Sequence, residues 1–182
     1  MLRVRPARPD DASAIARVYV ETWRSVYAGV LPDRVLTGMS TKRQSLAWRR
    51  QIEMRGGGRI LVADLRDTGI VGFVGVGRSR HGPLAFDGEI HTLYVADDFQ
   101  GRGIGRVLLE SGLGTLKDRG FAAAVVWVLS ANPARYFYEA MGGLRVAERN
   151  ESLWGAILKE TAYGWPDLVR RLENGVDNAR DS

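Results

Sequence analysis

Gln100-Gly101-Arg102-Gly103-Ile104-Gly105 is the stretch on which the fold turns. It stands between a strand-like stretch, Asp87 to Val95, and a helical pattern from Gly103 to Arg119. At 100° per residue Arg106, Glu110 and Lys117 lie within about 40° of one another, so apolar residues cover the rest of that helix. Gly120 stops it, and Phe121 to Leu129 follows with almost no polar side chain. Strand, helix and apolar strand predict a βαβ crossover into a buried, parallel part of a sheet. A helix that starts on such a loop leaves unpaired N–H groups and a partial positive charge, which suit phosphate. Glycine admits phosphate oxygens to the backbone, and Arg102 and Arg106 add charge-assisted contacts. A tight turn that happens to use glycine is the plainer reading of the same residues. Two other phosphate loops do not fit. The dinucleotide fingerprint needs glycine where Arg106 stands and an acid where Leu129 stands, and the Walker Gly-Lys-Ser/Thr is missing.

Upstream, Pro9-Asp10-Asp11 opens a helix with Asp10 as its expected cap, and Ile15, Val18, Tyr19, Trp23 and Val26 form its buried stripe. Gly29 and Pro32 end it. A second helix is expected over Ser40 to Met54 with Leu46, Ala47 and Ile52 inward, and Gly56-Gly57-Gly58 marks a turn. Arg59–Leu65 and Ile70–Gly77 read as a hairpin about Arg66-Asp67-Thr68-Gly69, and a Gly/Ser/Pro loop runs from Arg78 to Leu84. Downstream, Asn132-Pro133 starts a helix that Gly142-Gly143 stops. Strands near Leu144–Arg149 and Ala156–Tyr163 follow, then a tail with a short helix about Asp167–Glu173. Residues 1–165 are expected to be one domain and 166–182 a C-terminal tail.

The 182 residues suit one domain with a core that needs no metal or disulfide staple. The absence of Cys excludes a disulfide scaffold, a thiolate zinc site and a Cys nucleophile. Two His without a matching acid pair make no metal site. No apolar run reaches the roughly 20 residues of a membrane span, and the first residues lack a signal-peptide stretch. A cytoplasmic protein with no membrane partner is expected. The net charge of +5 comes almost wholly from dispersed Arg, with no block of five or six. The tail from Gly164 holds three Arg against four acids, so residues 1–163 carry +6. A nucleic-acid partner is therefore the weaker explanation, and a small phosphorylated ligand the better one. A homodimer is left open.

Gln100-x-x-Gly103-x-Gly105 resembles the pyrophosphate motif of the GCN5-related N-acetyltransferase superfamily, (Gln/Arg)-x-x-Gly-x-(Gly/Ala). Glu89-Ile90-His91-Thr92-Leu93-Tyr94-Val95 looks like that family's fourth strand, and Asn132…Tyr136-Phe137-Tyr138-Glu139 like its Asn…Phe-Tyr-Glu segment. The resemblance covers roughly residues 2–165, with a faint first strand at Leu2–Pro6. It implies an α+β, three-layer α/β/α fold. The sheet would be mixed and mostly antiparallel, with one parallel crossover and splayed central strands. It implies acetyl-CoA as co-substrate and no metal. Its pyrophosphate would lie on the amides of Gly101, Arg102, Gly103, Ile104, Gly105 and Arg106, after Gln100. The pantetheine arm would pair with the backbone at Leu93, Tyr94 and Val95 and touch Asn132. The Tyr138 hydroxyl would face the thioester sulfur. One departure is visible: Gly142-Gly143 stands where the family often has Gly-Phe, which removes an apolar anchor.

Acyl transfer to an amine needs a neutral nitrogen and a proton for the departing thiolate. A lysine-type amine, pKa about 10.4, is neutral in roughly one molecule in 2,500 at pH 7, so a base is required. From the resemblance, Glu89 is the candidate base, eleven residues before Gln100, acting directly or through water. A partly exposed strand carboxylate is its other reading. His91 shares a face with Glu89 by alternation and is a candidate relay. Tyr138 is the candidate general acid, or else a core aromatic. Trp23 and Tyr27, four apart, and Trp127 and Trp154 are candidate walls of an acceptor pocket. At that spacing Trp23 and Tyr27 also suit plain core packing. With no Cys, direct transfer in a ternary complex to a small or protein amine is the expected reaction. A non-catalytic acyl-CoA-binding regulatory module and a nucleic-acid-binding domain are the alternatives.

Overall fold

The computed structural model describes residues 1–54, 58–80, 85–153 and 156–171. The expectations about Gly56 and Gly57, the loop at 81–84, Trp154 and the tail from 172 onward lie outside the described residues. The first strand, β1 (Leu2–Pro6), leads through a short 3-10 turn into α1 (Ala12–Val26), α2 (Asp33–Thr37) and α3 (Thr41–Glu53). Next come β2 (Arg59–Leu65), β3 (Gly69–Arg78), β4 (Gly88–Val95), α4 (Ile104–Asp118) and β5 (Ala124–Leu129). The chain ends with α5 (Ala134–Ala140), β6 (Leu144–Leu153) and β7 (Ala156–Trp165).

The seven strands form one sheet in the order β1-β2-β3-β4-β5-β7-β6. Every pairing is antiparallel except β4 with β5, as the βαβ pattern demands. α1 and α3 cover one face through Ile15, Val18 and Trp48 on Val62 and Phe73. α4 and α5 cover the other, where Leu108, Leu109, Leu113, Leu116 and Tyr138 meet Val74, Val76, Ile90 and Val126. This is the expected three-layer α+β architecture. Gly112 sets the approach of α4, since a Cβ there would stand 3.1 Å from Val76 and 3.2 Å from Val74.

Three local expectations need correction. The carboxylate at the start of α1 is that of Asp11, not Asp10. It accepts from the Arg8 N–H at 2.7 Å and from both terminal nitrogens of Arg5, whose Nε reaches Asp64 at 3.0 Å. One guanidinium thus ties β1 to β2 and to α1. In α3, which Ser40 caps through the Arg43 N–H, Leu46 is 54% exposed and Ala47 is also outward. Trp48 turns inward instead, with its ring edge on Phe73 at 5.1 Å, because the larger ring buries more apolar area. Finally, the stretch between Pro32 and Ser40, where the sequence predicts no element, forms α2.

The family-type anchor missing at position 143 is replaced from elsewhere. A Cβ on Gly143 would lie 2.9 Å from the Tyr138 carbonyl and 3.1 Å from the Trp165 ring, so Trp165 holds that space. Past residue 165 the chain turns helical at 168–171, and Leu168 is fully buried in the α4–α5 core.

Candidate active site

The parallel pairing of β4 with β5 is only three residues long, Gly88–Ile90 against Ala124–Val126. At that point β4 carries a bulge: Ile90 faces Val76 and Thr92 faces Gly75, which leaves His91 as the extra residue. The slip reverses the alternation, so Ile90, Leu93 and Val95 all pack toward α4 while Tyr94 packs toward α1. The strict alternation expected for this strand therefore fails at His91. Beyond the bulge β4 and β5 part, and a cleft of about 760 Å³ opens between them.

At one end lies the glycine loop. Gly101 and Gly103 hold φ of 71° and 77°, left-handed values that a Cβ would strain. The first bond of α4 is Val107 N–H to the Gly103 carbonyl, so the N–H groups of Ile104, Gly105 and Arg106 are left for another acceptor. The Gln100 side chain donates to the Val95 carbonyl and to Asp97, both at 3.0 Å, and pins the loop to β4. Gln100, Gly101, Gly103, Gly105 and Arg106 line the cleft. Ile104 is buried beneath the loop, and Arg102 lies over the Phe99 ring at 5.2 Å, off the lining. The Arg106 guanidinium is paired with Glu110 at 3.0 Å.

The middle is walled by Leu93, Tyr94 and Val95 of β4, by Asn132, and by Phe137 and Tyr138 of α5. Asn132 caps α5 with Oδ1 on the Ala134 N–H at 2.9 Å, and its Nδ2 donates to the Tyr27 hydroxyl at 3.1 Å. Tyr138 is 5% exposed, and burial drives its pKa well above the ordinary value, so the hydroxyl keeps its proton at neutral pH. None of the described residues takes that hydroxyl in a hydrogen bond. The Tyr94 side chain turns away: its hydroxyl accepts from Trp23 Nε1 at 2.9 Å, between Tyr19 and Phe73.

At the other end stand Trp23 and Tyr27 of α1, His91, Trp127 and Glu160. The Trp23 and Tyr27 rings are 4.8 Å apart, and Arg24 fastens this end by donating to the Leu36 and Met39 carbonyls. His91 Nε2 donates to the Arg78 carbonyl at 3.0 Å, which leaves the lone pair on Nδ1. Burial lowers its pKa below the ordinary 6.5, against the opposing pull of that hydrogen bond and with help from Arg80, so the ring is neutral at pH 7.

The structure does not bring Glu89 to the cleft. Its carboxylate, 4% exposed, is held by the Arg80 N–H at 2.8 Å and the Arg80 guanidinium at 3.0 Å. Its charge acts on the nearby His91, whose protonated form it favours. The sequence reading missed Glu160, Thr22, Thr92 and Phe137, all of which line the cleft. An acid inside an otherwise amphipathic last strand was the available sign for Glu160.

Residues 17–143 match the model of the acetyltransferase (GNAT) family. The chain is 35% identical to the N-acetyltransferase YuaI of Bacillus subtilis, across 92% of this chain and 95% of that protein. It is 32% identical to an N-acetyltransferase of Archaeoglobus fulgidus, across 75% and 89% of the two. Its fold superposes with a TM-score of 0.68 on yncA, an acetyltransferase from Salmonella typhimurium solved with acetyl-CoA, at 23% identity, covering 92% of this chain and 94% of that one. With residues 17–143 matching the family and these relatives matched along most of the chain, one assignment follows: the chain belongs to the acetyltransferase (GNAT) family.

Proposed function

We propose that the protein moves an acetyl group from acetyl-CoA to a primary amine, by direct transfer while both are bound. The observation that carries this reading is the cleft through the sheet. It has a backbone cradle for phosphates at the α4 end and polar aromatic walls at the α1 end. The cofactor would enter on one side and the acceptor on the other. The bare amides of Ile104, Gly105 and Arg106 fit a pyrophosphate. The unpaired edge of β4 at Leu93–Val95 fits the amide groups of a pantetheine arm, and a free N–H there would polarise the thioester carbonyl. Bound acetyl-CoA supplies an activated acyl group; the chain supplies the proton transfers.

Tyr138, buried and protonated, donates its hydroxyl proton to the departing thiolate sulfur. His91, neutral and with Nδ1 free, accepts the proton of the attacking amine, directly or through water. Glu89 acts through His91, where its negative charge favours the imidazolium that forms. Asn132 orients Tyr27 and the start of α5. The catalytic unit is residues 1–165, to whose core Leu168 of the following segment adds, and a supply of acetyl-CoA sets its place in the cytoplasm.

Incubation with acetyl-CoA and a panel of amines, read as free thiol and as acetylated product, tests the assignment. One thiol per acetylated amine is the expected result. Saturable acetyl-CoA binding without thiol release from any amine would instead make the chain a binding module.

A further inference from the structure

Cross-strand partners share a face of a sheet, and the register places Trp127 beside Ala162, and Leu129 and Arg149 beside Glu160. Leu129 packs with Tyr27, Leu31 and Leu36, so this is the α1 face, opposite the one that carries Tyr138. Of the described residues that line the cleft, Glu160 alone is an acid. Its side chain is only 13% exposed. Oε2 accepts from Arg149 Nε at 2.8 Å, and Oε1 has no partner among the described residues.

Arg149 does not neutralise the site. Its guanidinium lies over the Trp127 ring at 4.1 Å, and its Nε is also 3.6 Å from Glu151. One positive charge is thus shared between two carboxylates, which leaves a net −1 at this end of the cleft. A second observation points to a polar guest. Among the described residues the buried hydroxyls of Thr22 and Thr92, both on these walls, lack a hydrogen-bond partner. Threonine hydroxyls and a half-satisfied carboxylate are acceptors for ammonium hydrogens, and the Trp23 and Tyr27 rings suit a cation.

The carboxylate is not where the reacting nitrogen must be. His91 follows the last β4–β5 pair, Ile90 with Val126, and so stands about level with Trp127. Glu160 pairs with Leu129, two residues further along and one strand beyond β5, so at 3.3 Å per residue and about 4.8 Å per strand the two backbone positions are on the order of 12 Å apart. An acceptor that meets both residues must therefore be extended, with its two nitrogens several carbons apart.

We infer that Glu160 is a specificity residue that holds a second ammonium group of the acceptor, and that the substrates are small diamines or polyamines. The inference rests on the transferase reading above. The attacking nitrogen gives its proton to His91, while the distal ammonium, still protonated, bonds to Glu160 Oε1 with Trp127 beneath the Arg149 pair.

The test compares diaminopentane with pentylamine, equal in length and different by one charge, in steady-state thiol release. The diamine is expected to have a kcat/KM about 10- to 100-fold higher, the usual worth of a hydrogen bond to a charged group, expressed in KM. Glu160→Gln, isosteric and still able to bond Arg149, should bring the ratio near one. Glu160→Asp should restore part of it. Acetyl-CoA binding, read by thermal shift, shows that each variant is folded. Equal use of the two amines by the native protein, or a ratio that survives Glu160→Gln in a folded variant, overturns the inference and leaves the transferase reading intact. Thiol release with neither amine nor any other acceptor overturns both.

Discussion

The two ends of the cleft are made of different material. At the α4 end the groups on offer are backbone amides of three successive residues, held by Gly101, Gly103 and the Gln100 pin. At the α1 end they are side chains from α1, β4, β5 and β7, brought together from positions as far apart as Trp23 and Glu160. A backbone site binds a group common to every substrate and tolerates changes of side chain. A side-chain site can be retuned one residue at a time. The two ends meet where β4 leaves β5.

The largest effect is expected midway, at Tyr138. Tyr138→Phe should lower kcat about 10²- to 10⁴-fold, the usual worth of a positioned acid, while acetyl-CoA still binds in a calorimetric titration. Lost binding with kcat retained would mean that the ring, and not the hydroxyl, is what the site uses. Gly103→Val probes the backbone end. A β-branched residue held at φ 77° is strained by about 1–2 kcal/mol, so acetyl-CoA affinity should fall roughly tenfold. Unchanged affinity would remove the loop from the cofactor site.

The pH profile probes the junction. Protonation of His91 silences it as a base, and its pKa is lowered from 6.5. The acid limb of kcat/KM is therefore expected below pH 6.5 and should vanish in His91→Ala. The folded state also binds fewer protons here than the unfolded chain just below pH 6.5. This residue's contribution to stability is thus present above the unfolded pKa and is lost as pH falls through the lower folded value. A limb centred above 6.5 would contradict a buried, neutral imidazole. The smallest effect is expected at Asn132→Ala, which loses a helix cap worth about 1 kcal/mol. A drop in Tm of about 2–4 °C is the expected reading. A Tm equal to that of the native protein would mean that Tyr27 and Pro133 hold α5 without the amide.

Legibility followed the same division. The glycine loop, the crossover from β4 to β5 and the Asn132 start of α5 were readable because each is a contiguous run whose spacing carries its geometry. The orientation of α3 was not, since the apolar residues near Leu46 are few and the choice between Leu46 and Trp48 was settled by the pocket between Tyr19 and Phe73. Nor was the bulge. Nothing in Glu89 to Val95 departs from an ordinary strand, and the extra residue at His91 exists because β3 pairs in two registers about it. Glu89 was readable as an acid at the right spacing, but its engagement by Arg80 depends on how the β3–β4 connection returns.

From the chain alone came the class of fold, the glycine loop and, through the lack of any Cys, the exclusion of a Cys nucleophile. These rest on local rules: periodicity, glycine conformations and which functional groups exist at all. Which carboxylate lines the cleft was decided by pairing across the sheet. Burial behind Arg80 removed Glu89 from the cleft, while register with Leu129 and a shared Arg149 turned Glu160 into it. A carboxylate's role depends on what surrounds it, and those surroundings come from strands distant in the chain.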